Sequence, residues 1–269
     1  MNLHLLLIDP QRDFCEPAGN GGGALFVPGA VEDMANVAAM ITTHSSKLDD
    51  IHVTLDSHHP LHIAHPVWWE DSSGKHPNPF TIITVKDVED GTWRASNLSL
   101  QRYSMKYVQK LQNSGRYALC IWPPHCLIGS SGHAVDPGVF QALTNWANDN
   151  FGVVNFCTKG SNIKTEHYSA IKAEVPIDND PSTQLNIEFV KAMMDATHIL
   201  IAGEALTHCV LNTVTDTADA FGDDSYVQKL VLLRDCTSMI PGFETQAQTW
   251  IETMKKRGMQ VSDSKSFFA

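Results

Sequence analysis

A cysteine can attack a carbonyl at neutral pH when a neighbouring base takes its proton, and this 269-residue chain holds six cysteines. One of them, Cys209, stands in the run His198 to Val210. That run opens with Ile199, Leu200, Ile201 and Ala202, read as a buried parallel strand, and breaks at Gly203. It resumes as a helix with Val210, Val214 and Phe221 on one face, so Cys209 is expected where a helix begins. Unpaired N–H groups there favour thiolate over thiol. A cysteine so placed is more often a small apolar packing residue, and its company decides the matter. Asp9, Asp56, His125 and Lys159 each follow a further apolar run of strand length. Singly they read as turn caps, a loop histidine and a solvated amine. Together they gather at the carboxyl edge of one sheet, where open α/β folds bind ligands. The stretch Ser57 to Pro66 adds His58, His59, His62 and His65. Pro60 breaks any helical His58–His62 pair, so a metal site here is built on irregular backbone.

The elements that must hold these residues alternate. Strands are expected at Leu3 to Ile8, Ile51 to Leu55, Ala118 to Trp122, Val153 to Thr158, around Ile199 and at Val227 to Leu233. Helices are expected at Val31 to Thr43, Val139 to Asn148, Ser182 to Ala196 and Glu244 to Lys256. This order predicts an α/β fold, a mainly parallel sheet with helices on both faces. Residues 67 to 116 break the rhythm, with a short strand near Phe80 to Val85 and a helix over Leu98 to Leu111. They read as an inserted, lid-like segment that roofs the active site and lacks a core of its own, within one domain of residues 1–269. Gly19 to Ala24 nominally fits a GxGxxA fingerprint, but no helix opens on it, so it reads as a flexible loop.

With 43% hydrophobic residues the chain can bury a sizeable core. A net charge of −11 without any basic run argues against nucleic acid and against an anionic membrane. No stretch approaches the ~20 apolar residues of a membrane span. The amino-terminal apolar run is too short for a signal sequence. The scattered cysteines include no CxxC pair and read as reduced thiols, so a cytoplasmic protein is expected.

Several of these pieces, in order, resemble the nicotinamidase and isochorismatase-like cysteine hydrolases. They are Ile8-Asp9-x-Gln11-x-Asp13-Phe14, Val27-Pro28-Gly29-Ala30, Asp56-x-His58, Trp122-Pro123-Pro124-His125-Cys126, Lys159-Gly160 and Gly203-x-Ala205-x-x-His208-Cys209-Val210. Asp-x-His with Trp-Pro-x-His-Cys is characteristic of the metal-containing nicotinamidase-like branch. The resemblance implies a six-stranded isochorismatase-like sheet and a catalytic triad of Asp9, Lys159 and Cys209. It implies a divalent metal (zinc, iron or manganese) on Asp56, His58 and His125, with His62 or His65 as a further ligand. Phe14 and Trp122 would flank the substrate ring, and the oxyanion hole would lie at a cis Glu204–Ala205 peptide. The implied partner is a small-molecule amide, most directly nicotinamide, and the chain is expected to form a homo-oligomer. The alternatives are another aryl or ureido amide, or a metal-binding protein of this fold without turnover. Glu204 stands where small aliphatic residues are common, and is expected to face the pocket and alter specificity.

Overall fold

The computed structural model describes residues 2–19, 21–114 and 116–269. Met1, Asn20 of the glycine-rich run and Gly115 of the 67–116 segment lie outside them. From the amino end, β1 (Leu3–Ile8) leads through α1 (Arg12–Cys15) to α2 (Ala30–Thr43) and β2 (Asp50–Asp56). Then come β3 (Trp69–Glu70), β4 (Ile82–Ile83), α3 (Val85–Glu89), β5 (Arg94–Ala95), α4 (Gln101–Ser114) and β6 (Leu119–Cys120). Alternation returns with α5 (Pro137–Asn150), β7 (Asn155–Lys159), α6 (Ile187–Lys191) and β8 (His198–Gly203). The chain closes through α7 (Leu211–Phe221), β9 (Leu230–Leu233), α8 (Glu244–Arg257) and β10 (Gln260–Ser262).

Six strands form one parallel sheet in the order β10-β9-β8-β1-β2-β7. Every residue of β1 is buried, which explains why its run is continuously apolar but for His4. Leu3, Leu5 and Leu7 pack towards α2 and α5, while Leu6 and Ile8 pack towards α6, α7 and α8. Each such side chain contributes about 2 kcal/mol by leaving water. From β1 the chain builds outward through β2 to β7, then returns to β1's other side at β8. That reversal opens a crevice between the carboxyl ends of β1 and β8, where this fold type binds ligands.

Three expectations change. Residues 118–122 do not join the main sheet: β6 pairs antiparallel with β4 in a separate ribbon, because Pro123 and Pro124 prevent the strand from running on. Of the helix expected over 182–196, only a 3₁₀ turn at Pro181–Thr183 and the single turn of α6 form. The 67–116 segment is not coreless. Trp68, Trp69, Ile83, Tyr107, Val108 and Leu111 form a third apolar cluster with Trp122 and Tyr168. The glycine-rich run is pinned where described: Gly23 N–H donates to the Arg12 carbonyl, and a Cβ on Gly22 would meet that carbonyl oxygen at 2.7 Å. Among the described residues no helix is long and apolar enough to cross a membrane.

Candidate active site

The carboxyl ends of four strands meet at one point. Asp9 leaves β1 with φ 45°, a turn that points its carboxylate back over the sheet, where Thr54 Oγ1 donates to its Oδ1 at 2.5 Å. Lys159 ends β7, its Nζ lying 2.8 Å from Asp9 Oδ2, 3.1 Å from Asp56 Oδ1 and 3.5 Å from Cys209 Sγ. Cys209 sits in a single π-helical turn, Leu206–Val210, between β8 and α7. A Cβ on Gly203 would come within 1.9 Å of the Ile8 carbonyl oxygen, so only glycine lets β8 end this close to Asp9. The Glu204–Ala205 peptide is cis, and the Ala205 N–H has no hydrogen-bond partner among the described residues.

Burial raises the Cys209 thiol well above its ordinary value. Lys159 opposes this and Asp9 reinforces it. Desolvation thus works against the thiolate that a helix start favours. Burial also raises Asp9 despite Lys159. For Lys159, burial acts to lower the ammonium's value, but Asp56 and Asp9 outweigh it and hold the group charged. Lys159 thus stands between the Asp9 carboxyl and the Cys209 thiol, within reach of both.

Beside it lies the second cluster. Asp56 Oδ2 faces His58 Nε2 at 2.9 Å and His125 Nε2 at 3.3 Å. Ligand atoms of the three residues lie within 4.8 Å of one another, all buried. The backbone N–H of Asp56 donates to Gln11 Oε1, and Gln11 Nε2 donates to the Asp56 carbonyl, each at 2.7 Å. Asp13 Oδ2 accepts from Cys126 N at 2.6 Å and holds the turn carrying His125. His125 Nδ1 bonds the Pro123 carbonyl, leaving Nε2 for the cluster. The donor set fits a divalent ion: His58 Nδ1 and His65 Nε2 are buried without any hydrogen-bond partner, and one oxygen and two nitrogens suit a borderline metal. His62 differs, since its Nδ1 accepts from Ala64 N and its Nε2 bonds the Thr165 carbonyl. Of the two supplementary histidines, His65 is the one with a free ring nitrogen.

Both clusters border a narrow cavity, about 380 Å³ with its mouth included. Phe14, Trp122, Tyr168, His208, Leu25 and Ile240 supply its walls, with Ala205 and Cys209 on one side and Asp56, His125 and Glu166 on the other. No arginine or lysine lines it. Among the described residues none of 67–116 lines it, and that segment stands behind Trp122 and Tyr168. A larger cleft borders Lys159 and His167 and the loop after β7, but it includes neither Cys209 nor the histidine cluster. Glu204 does not face the cavity. It is fully buried and accepts from Ser238 N at 3.2 Å, which corrects the expected role in specificity. Sequence reasoning assigned no role to Glu166, Tyr168 or His208. A signal was present for two of them, because Tyr168 is an aromatic in the loop leaving β7 and His208 precedes Cys209.

No family model matches the chain, and no curated protein sequence matches it. Solved structures do. A nicotinamidase/pyrazinamidase of Acinetobacter is 19% identical with a TM-score of 0.62, over 99% of this chain and 98% of that one. The yeast nicotinamidase bound to the inhibitor nicotinaldehyde is 20% identical with a TM-score of 0.62, over 97% of this chain and 99% of that one. A Pyrococcus horikoshii pyrazinamidase in complex with zinc is 18% identical with a TM-score of 0.54, over 98% of this chain and 99% of that one. From end to end, this chain has the isochorismatase-like α/β fold of the nicotinamidases and pyrazinamidases.

Proposed function

We propose that the protein is a metal-dependent cysteine amidohydrolase that converts nicotinamide to nicotinate and ammonia through a thioester. The observation that carries this reading is the convergence of Asp9, Lys159 and Cys209 beside Asp56, His58 and His125 on one aromatic-walled cavity. Cys209 Sγ attacks the amide carbon as Asp9 accepts the thiol proton, and Lys159 balances the charge. The tetrahedral oxyanion is received by the free Ala205 N–H together with that of Cys209. Asp9 returns the proton to the departing nitrogen, ammonia leaves, and an acyl thioester remains. Water then attacks the thioester with Asp9 again as base, releasing the acid and restoring the thiol. Asp56, His58 and His125, with His65 as the supplementary ligand, would hold the divalent ion. When bound, the ion supplies a Lewis-acid contact that orients a ring nitrogen or polarises water.

The cavity also selects among amides. Its walls are mostly aromatic and apolar, which favours a flat aryl amide. The 67–116 segment, within a single domain of residues 1–269, roofs the cavity by bracing Trp122 and Tyr168.

The test is ammonia release from a panel of amides. Nicotinamide should exceed benzamide by at least ~10² in kcat/KM, because benzamide lacks the ring nitrogen that a polar contact would recognise. Chelation or His58→Ala should shrink that ratio. Equal rates on both, unaffected by chelation, would remove nicotinamide as substrate and leave the cysteine hydrolase. No ammonia from any amide would leave a metal-binding protein.

A further inference from the structure

The opposite edge of the sheet holds a second cluster that the chemistry above does not use. His4 and His52 are the second and third residues of the neighbouring strands β1 and β2, at their amino ends. Both are buried, 2% and 1% exposed, and His4 Nδ1 lies 3.1 Å from His52 Nε2. Asp50, paired with His4 in the strand register, is only half-buried, and ligand atoms of all three residues lie within 4.8 Å of one another. Two imidazole nitrogens on a tetrahedral zinc at 2.0–2.1 Å stand roughly 3.3 Å apart. The two rings therefore already sit at nearly the separation an ion would impose.

The surroundings favour a cation. Asp50, Asp195 and Asp49 all act on His4 electrostatically, against the single lysine Lys229. An ion would take one lone pair from each of these two rings in its neutral form. The outer hydrogen bonds can orient them. His4 Nε2 reaches Asn2 Oδ1 at 3.1 Å, and His52 Nδ1 reaches the Asn155 amide at 3.1 Å. At present Asn155 Nδ2 faces the ring, and a half-turn of the amide presents its oxygen to a protonated Nδ1. That shift frees His52 Nε2 and His4 Nδ1 together. The half-buried Asp50 side leaves room for water as a fourth ligand.

We infer that His4, His52 and Asp50 form a second divalent-metal site, suited to zinc or cobalt, at the amino ends of β1 and β2. It is independent of the proposed catalytic chemistry, since no residue is shared. The experiment is zinc titration by calorimetry of the untagged full-length chain carrying His58→Ala and His125→Ala, which disables the other cluster. One zinc per chain should bind, and cobalt should give the visible absorption of a tetrahedral site. Adding Asp50→Asn, a half-buried change that spares the core, should weaken binding at least about tenfold. Adding His52→Asn should abolish it. Failure to bind zinc in the disabled background, or binding indifferent to Asp50→Asn, overturns the proposal and leaves the two rings as a hydrogen-bonded pair.

Discussion

Cys209 and Cys126 are both buried thiols pushed well above their ordinary value, so burial does not tell a nucleophile from a packing residue. Their neighbours do. Cys209 has Lys159 at 3.5 Å and opens onto the cavity, while Cys126 is fully buried in the α2–α5 side of the core. Cys209→Ala should therefore abolish ammonia release with folding and metal content retained, and Cys126→Ala should stay near wild type. Alkylation of Cys126 by an active-site-directed electrophile would contradict that assignment. Asp9→Asn keeps the shape but cannot accept a proton, and should lower kcat by at least ~10². Lys159→Met should do the same, and near-normal kcat in either variant would break the triad. The sequence brought Asp9, Asp56, His125, Lys159 and Cys209 forward because each follows an apolar run, His58 because it stands two residues after Asp56, and all six because their order resembles that of a known family. It did not bring Glu166 forward, since one glutamate in a loop carries no mark until the fold turns it towards His58.

At the scale of elements, the site depends on how closely β8 can end beside β1. Gly203 has φ 114° and no space for a Cβ against the Ile8 backbone. Gly203→Ala must push the two strand ends apart, so it should cost at least about 2 kcal/mol in stability and separate Cys209 from Asp9. Chemical denaturation together with ammonia release would check this: a variant of wild-type stability and rate would show that the approach is dispensable. The glycine was recognisable as a break in the sequence pattern. Its reason was not, because the atom it avoids belongs to a strand nearly two hundred residues earlier.

Across the whole molecule, Arg116 closes the 67–116 segment against α7 and the loop after β7. It pairs with Asp216 and approaches Glu174 at 3.9 Å. Neither Glu174 carboxyl oxygen has a hydrogen bond, and burial, against the pull of Arg116, raises the group to about 7. A carboxyl raised in the folded state contributes stability that is fully present below its unfolded value near 4.5 and is lost as pH rises through about 7. Glu174→Gln stays neutral throughout. Its stability relative to wild type should therefore increase from pH 4.5 to 7, by about 3 kcal/mol in all. The Tm difference, variant minus wild type, should be larger at pH 8 than at pH 5, and an identical difference at both would refute the buried carboxyl.

What the sequence determined by itself was whatever depends on local pattern. The apolar runs of β1, β2 and β8 and the helices α2, α5 and α8 follow from periodicity, because both faces of a parallel sheet are buried and surface helices keep one apolar side. The candidate site residues were singled out by their order along the chain. Only the tertiary structure decided the long-range pairings. It withdrew residues 118–122 from the main sheet, because their hydrogen-bond partner is β4 and a proline pair follows them. It turned Glu204 away from the cavity, and its carboxyl group accepts from the backbone of Ser238 instead. It also set His65 apart from His62, since a ring nitrogen is free or occupied according to carbonyls and amides that no spacing rule reveals.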